Sequence, residues 1–129
     1  MRFAHAGIAT DDAAALAARF GDLFDAEVVH EERFEDLQVV FLALENGYLE
    51  LLEPIEDGTI AHYLEDNGPG IHHLAVETDD IERALERARE LGIELIDDAP
   101  RRGAWGHEVA FLHPRDTGGM LVEFVASEH

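Results

Sequence analysis

"GIHHLAVETDD" occupies residues 70–80, and a shorter version of the same phrase, "HAGIATDD", occupies residues 5–12. Each copy reads as a buried strand running straight into a helix start, where an aspartate can cap the first turn. His5, Thr10, Asp11, Asp12, Arg19 and Leu23 recur as His73, Thr78, Asp79, Asp80, Arg87 and Leu91 at a constant offset of 68 residues. Further along, "VFLAL" at 40–44 parallels "AFLHP" at 110–114. "YLELL" at 48–52 parallels "LVEFV" at 121–125, which sets Glu50 against Glu123. The offset drifts because the second hairpin turn is longer. A period this long, occurring twice, marks a duplicated βαβββ module rather than a solenoid.

Working outward, module one (residues 1–54) is expected to contain a strand at Phe3–Ala9 and a helix capped by Asp11 or Asp12. That helix carries Leu16, Phe20, Leu23 and Phe24 on one apolar side. Strands at Ala26–Arg33, Leu37–Leu44 and Tyr48–Glu53 follow, the last two joined by the hairpin signal Asn46–Gly47 and the last ended by Pro54. A connector (55–69) holds a short helix near Thr59–Asp66 and the turn "NGPG". Module two (70–129) repeats the order: strand Ile71–Glu77, helix Asp80–Leu91 stopped by Gly92, and strand Ile93–Ile96. The loop "DDAPRRGAWG", strand Glu108–His113, a Gly118–Gly119 turn and strand Met120–Ala126 complete it. The two modules are expected to form one domain, 1–129.

Hydrophobic residues make up 47% of the 129-residue chain, enough for a packed interior. No apolar run approaches the ~20 residues needed to span a bilayer, and no signal sequence is expected, since the first strand is read as beginning almost at Met1. Cysteine is absent, which excludes disulfides and thiolate metal sites. The expected location is cytoplasmic. Twenty-nine acids face nine bases, all arginine, for a net charge of −20. Such a surface repels itself at ordinary ionic strength and is screened near molar salt, where the Debye length falls to ~3 Å. This composition points to a salt-filled, halophilic cytoplasm and argues against a nucleic-acid partner, whose phosphates require a basic footprint. An anionic substrate would need a local source of positive charge.

Side chains alternate along a strand. His73 therefore shares its face with Ala75, and His5 with Gly7 and Ala9, small residues that leave room before the imidazole. Glu50 lies between Tyr48 and Leu52 on its face, and Glu123 between Leu121 and Val125, where an uncompensated charge is costly. One strand histidine is ordinarily a satisfied core or surface residue, and one inward glutamate ordinarily meets an arginine. Four such residues at duplicate-related positions point instead to a shared ion. Packed about a pseudo-two-fold axis, the two His–Glu pairs could converge on a divalent cation, with two positions left for substrate or water. His72 faces the other way and should cap or pack. His30, His62, His107, His113 and His129 lack a symmetric partner.

The phrases "HAGIAT" (5–10), "LELLEP" (49–54), "IAHYLEDNGPGIHHLAVETDDI" (60–81), "LIDDAPRRGAWG" (95–106) and "FLHPRDTGGMLVEF" (111–124) touch nearly the whole chain. They resemble the vicinal oxygen chelate superfamily (glyoxalase–bleomycin resistance), and within it the methylmalonyl-CoA epimerase family. The resemblance implies an α+β fold in which two βαβββ modules form a half-open mixed β-sheet cup, usually as a homodimer. It implies a divalent metal on His5, Glu50, His73 and Glu123, the second position being glutamine in some relatives. Cobalt(II) is the first expectation, with Mn2+, Ni2+, Zn2+ and Mg2+ as alternatives.

The implied reaction is epimerisation of (R)- and (S)-methylmalonyl-CoA, a proton exchange at C2 through a stabilised enolate, which places the chain among the isomerases. Glu123 is the expected base. Val39 stands where some relatives carry a second glutamate. Glu32, Glu35 and Gln38 lie nearby in sequence without filling that slot, which leaves water or Glu50. In the "HPRDTGG" loop, Thr117, Gly118 and Gly119 are expected to hold the substrate carboxylate and Arg115 the CoA phosphates. Arg101 and Arg102 are further phosphate candidates. The plain reading of the same loop is a hairpin turn that needs glycine. A glyoxalase-type lyase or a non-catalytic binder of the same fold is the alternative. A ring-cleaving dioxygenase fits less well, because a fourth ligand occupies a position that oxygen needs.

Overall fold

Asp12 and Asp80 begin the two long helices in the same way. Both sit in extended backbone, φ −149° and −144°, and each Oδ1 accepts the amide N–H three residues on, from Ala15 at 3.0 Å and Arg83 at 3.1 Å. The hydroxyl oxygens of Thr10 and Thr78 accept the N–H groups of Asp12 and Asp80 at 3.2 and 3.3 Å. The repeated "T-D-D" is thus one capping device built twice.

The structure, a computed structural model, describes residues 1–127; His129 lies outside them. Its elements are β1 (Arg2–Ala9), α1 (Ala13–Phe24), β2 (Glu27–Phe34), β3 (Leu37–Leu44), β4 (Gly47–Pro54), α2 (Thr59–Asn67), β5 (Gly70–Thr78), α3 (Ile81–Glu90), β6 (Arg101–Arg102), β7 (Glu108–Leu112) and β8 (Val122–Ala126). The strands run in the order β2-β3-β4-β1 in the first half and β5-β8-β7-β6 in the second, each a mixed sheet. β1 runs parallel to β4 and β5 parallel to β8, while the hairpin neighbours are antiparallel. The expected α+β arrangement of two βαβββ units is therefore observed.

Residues 5–72 form one compact unit, and Met1–Ala4 with the residues from His73 onward form another; the boundary falls within β1 and within β5. In the first unit, α1 lays Ala13 and Ala17 on Val40, Leu42 and Leu51, with Ile8, Leu16 and Phe20 around them. In the second, α3 lays Ile81, Leu85 and Ala88 on Ala110 and Leu112. In both, alternate strand residues face the helix and the remaining ones are left for the opposite face.

Three expectations need correction. Leu23 and Phe24 do not join the apolar side of α1: they lie in its last turn, 66% and 47% exposed, with Phe24 stacked on Phe20. Ile93–Ile96 is not a strand. Leu95 makes an isolated bridge to Leu112, and the Asp97 carboxylate accepts the Phe111 N–H at 2.8 Å, taking the donor that a ladder would have used. The edge strand instead forms later, at Arg101–Arg102, inside the stretch read as loop. The last strand begins at Val122 rather than Met120, because Met120 still closes the preceding turn onto Thr117.

Candidate metal centre

In the unit 5–72, parallel pairing sets Gly7 opposite Glu50, and antiparallel pairing sets Phe41 opposite Glu50. Residues paired in this way share a face. Gly7 contributes no side chain to it, so His5, two residues back, meets the carboxylate: Nε2 and Oε1 are 3.2 Å apart. Phe41 stands edge-on to the His5 ring, 5.9 Å between centroids at 90°. The second unit repeats the construction. Ala75 and Phe111 are the partners of Glu123, His73 Nε2 lies 3.3 Å from Glu123 Oε1, and Phe111 meets the His73 ring edge-on at 5.4 Å and 83°.

All four donors are 4–6% exposed. Each unit thus offers one imidazole and one carboxylate side by side, a donor set of the kind that divalent ions take. The pair separations are also those of neighbouring ligands: bonds of about 2.1 Å end roughly 3.0 Å apart at an octahedral angle and roughly 3.4 Å apart at a tetrahedral one. The donor sets fit such an ion.

The remaining histidines do other things. His72 packs edge-on against Tyr63 at 5.0 Å, as its outward face implied. His62 lies 3.0 Å from Asp57 near the surface, His107 tilts over Trp105 at 5.6 Å and 35°, and His113 Nδ1 accepts the Arg115 N–H. His30, which lacks a symmetric partner in the sequence, lies outside both His–Glu pairs. Its Nε2 lies 3.0 Å from Glu32 Oε1, and its ring tilts over Phe41 at 6.2 Å. Of the other residues near the Val39 slot, Gln38 pairs with Arg33 and Glu53, one position out of phase with Val39, and Glu35 occupies the β2–β3 turn at φ 54°.

In the "HPRDTGG" loop, Gly118 and Gly119 adopt φ of 71° and 81°, the left-handed region that favours glycine. Thr117 donates its hydroxyl to Met120 O, the Gly119 N–H goes to Pro114 O, and Arg115 pairs with Glu94. Arg101 binds Asp97 and lies over the Phe111 ring at 5.5 Å.

Residues 4–111 match the Glyoxalase/Bleomycin resistance protein/Dioxygenase superfamily. The chain belongs to that superfamily. Among superfamily proteins, the ethylmalonyl-CoA/methylmalonyl-CoA epimerase of Cereibacter sphaeroides is 40% identical over 127 residues, covering 95% of each chain. A methylmalonyl-CoA epimerase solved with methylmalonyl-CoA and NH4+ superposes with a TM-score of 0.93 at 35% identity, covering 98% of this chain and 94% of that one. The Mycobacterium tuberculosis methylmalonyl-CoA epimerase gives a TM-score of 0.93 at 30% identity, with coverage of 99% and 89%.

Proposed function

We propose that this superfamily member is a metal-dependent epimerase interconverting (R)- and (S)-methylmalonyl-CoA, and that His5, Glu50, His73 and Glu123 together hold one divalent ion. The observation that carries this reading is the buried His–Glu pair, built at the same register position in each half and backed each time by an edge-on phenylalanine. The relatives named above supply the substrate class. Superfamily enzymes use divalent metals; cobalt(II) is the proposed ion, with Mn2+, Ni2+, Zn2+ and Mg2+ as competitors.

The chemical obstacle is a carbanion beside a thioester. A divalent ion held by these donors supplies Lewis-acid stabilisation of a substrate oxygen that gains negative charge. The Glu123 carboxylate takes the C2 proton. Phe41 and Phe111 fix the two imidazole planes and keep water from the donors, which preserves the strength of the electrostatics. The loop at 113–119 serves the substrate, with Thr117, Gly118 and Gly119 near its carboxylate and Arg115 toward the CoA phosphates. A metal-free binder has no use for two matched pairs, and the substrate class of the relatives separates the epimerase from a glyoxalase.

The test is proton NMR of the protein with cobalt(II) and methylmalonyl-CoA in deuterated buffer at high salt. Deuterium should enter C2, and His73→Ala should lose both cobalt binding, read by titration calorimetry, and exchange. Full exchange in His73→Ala would refute the assignment of the ligands.

The proposed assembly is a homodimer in the cytoplasm, each chain a single domain of residues 1–129, on the strength of the family resemblance. No helix of the described residues is long and apolar enough to cross a membrane. The net charge of −20 supports a surface adapted to high salt.

A further inference from the structure

Inversion at C2 needs a proton acceptor on one face of the carbon and a proton donor on the other. We infer that Glu32, held by His30, is the second acid–base group of the reaction, an inference that rests on the epimerase reading above.

The inference starts from a bulge. β2 pairs Val28 with Leu42 but His30 with Phe41, so Val29 is an extra residue in the ladder. An extra residue reverses the facing of everything beyond it. Leu42 belongs to the helix-side core under α1, and Val28 pairs with it. His30 and Glu32 are turned to the opposite face by the bulge. There His30 shares a row with Phe41, Glu50 and Gly7, and Glu32 shares the next row with Val39, Leu52 and Ala9. The contact of the His30 ring with Phe41, which also meets His5, confirms the facing within this unit.

This face also carries Glu27, exposed in the row of Ala43, Tyr48 and His5, together with the apolar Val39, Phe41 and Leu52. Glu32 differs from Glu27 in being half-buried there and in owing its facing to the bulge. The side chains of His30 and Glu32 are 28% and 26% exposed, half-buried yet within reach of a ligand, whereas the Val39 side chain between Glu32 and Leu52 is fully buried. β2 lies two strands from β4, about 10 Å at the usual strand spacing. The duplicate offers a contrast. Arg101 pairs with Val109 as Glu32 pairs with Val39, and it lies over Phe111 as His30 lies over Phe41. The two halves keep the same metal donors and differ at this edge, one presenting an acid and the other a cation.

The step balances as follows. The C2–H bond breaks, its electron pair passes into the thioester, and the proton moves to the Glu123 carboxylate. The carboxylic acid of Glu32 then gives its proton to the opposite face, forming the new C2–H bond and leaving Glu32 charged. The reverse reaction begins with Glu32 charged and Glu123 protonated. His30, 3.0 Å from Glu32 and partly exposed, is a positioning residue that orients the carboxyl and links it to solvent.

The experiment follows each pure epimer separately in deuterated buffer with cobalt(II) present, reading inversion by a chiral assay and C2 deuterium by NMR. In the unaltered protein both epimers should invert and label; failure here overturns the epimerase reading itself. Glu32→Gln should bind cobalt(II) normally and lose inversion by roughly a hundredfold or more. One epimer should still acquire deuterium without inverting, because the other base survives. Glu32→Asp, which keeps a carboxylate, should retain more inversion than Glu32→Gln. Inversion by Glu32→Gln at the unaltered rate, equal losses in the two variants, or equal loss of labelling in both epimers would each overturn the role of Glu32.

Discussion

At the scale of single residues, the duplication leaves paired experiments. Asp12 and Asp80 cap their helices with the same backbone geometry and the same acceptor atom. Asp12→Ala and Asp80→Ala should each cost about 1 kcal/mol in urea unfolding at high salt, the usual size of a lost N-cap. Asp11→Ala, an exposed neighbour with no capping bond, should change stability by less than about 0.5 kcal/mol. A larger loss at Asp11 than at Asp12 would show that the cap has been placed one residue off. The helix starts and the matched positions of His5, His73, Glu50 and Glu123 were legible in the sequence, because each recurs and the facing of a strand residue follows from alternation; which of Asp11 and Asp12 caps was decided by the backbone. His30 and Glu32 were not legible as a facing pair, because the bulge at Val29 has no sequence mark of its own.

At the scale of elements, burial rather than hydrophobicity decides what a leucine is worth. Leu85 in α3 is 1% exposed against the sheet, whereas Leu91, just past the helix end, is 62% exposed. Leu85→Ala should therefore destabilise by about 2–5 kcal/mol and Leu91→Ala by less than about 0.5 kcal/mol, read by the same unfolding curves. Gly103, between β6 and β7, tests close packing. A Cβ there would stand 2.9 Å from the Val109 side chain, which is buried and has little freedom to yield. Gly103→Ala should cost about 1–3 kcal/mol by overpacking, and an unchanged midpoint would mean that β6 sits farther from β7 than described. The helices and the long strands were readable from period and caps. The strand expected at Ile93–Ile96 failed because a side chain, Asp97, captured the Phe111 amide, a competition that hydrophobic pattern does not report.

At the scale of the whole molecule, twenty more negative charges than positive ones must be held on one small fold. Arg2, bonded to Asp79 and Glu77, illustrates the local answer: its guanidinium is held above its ordinary pKa by those hydrogen bonds and stays charged throughout. Nine arginines cannot offset twenty-nine acids, and the proposed high-salt adaptation would leave the rest to screening. The thermal midpoint should rise steadily from dilute buffer to molar KCl, and equal midpoints at both ends would refute the high-salt reading. Sequence alone determined the duplication, the helix starts and the two matched His–Glu pairs, because repeats, start signals and alternation are local patterns written in residue order. Only the tertiary structure decided which strand closes the β6 edge and which face His30 and Glu32 occupy. Both depend on which amide pairs with which carbonyl across strands, and a single extra residue in that ladder reverses the answer.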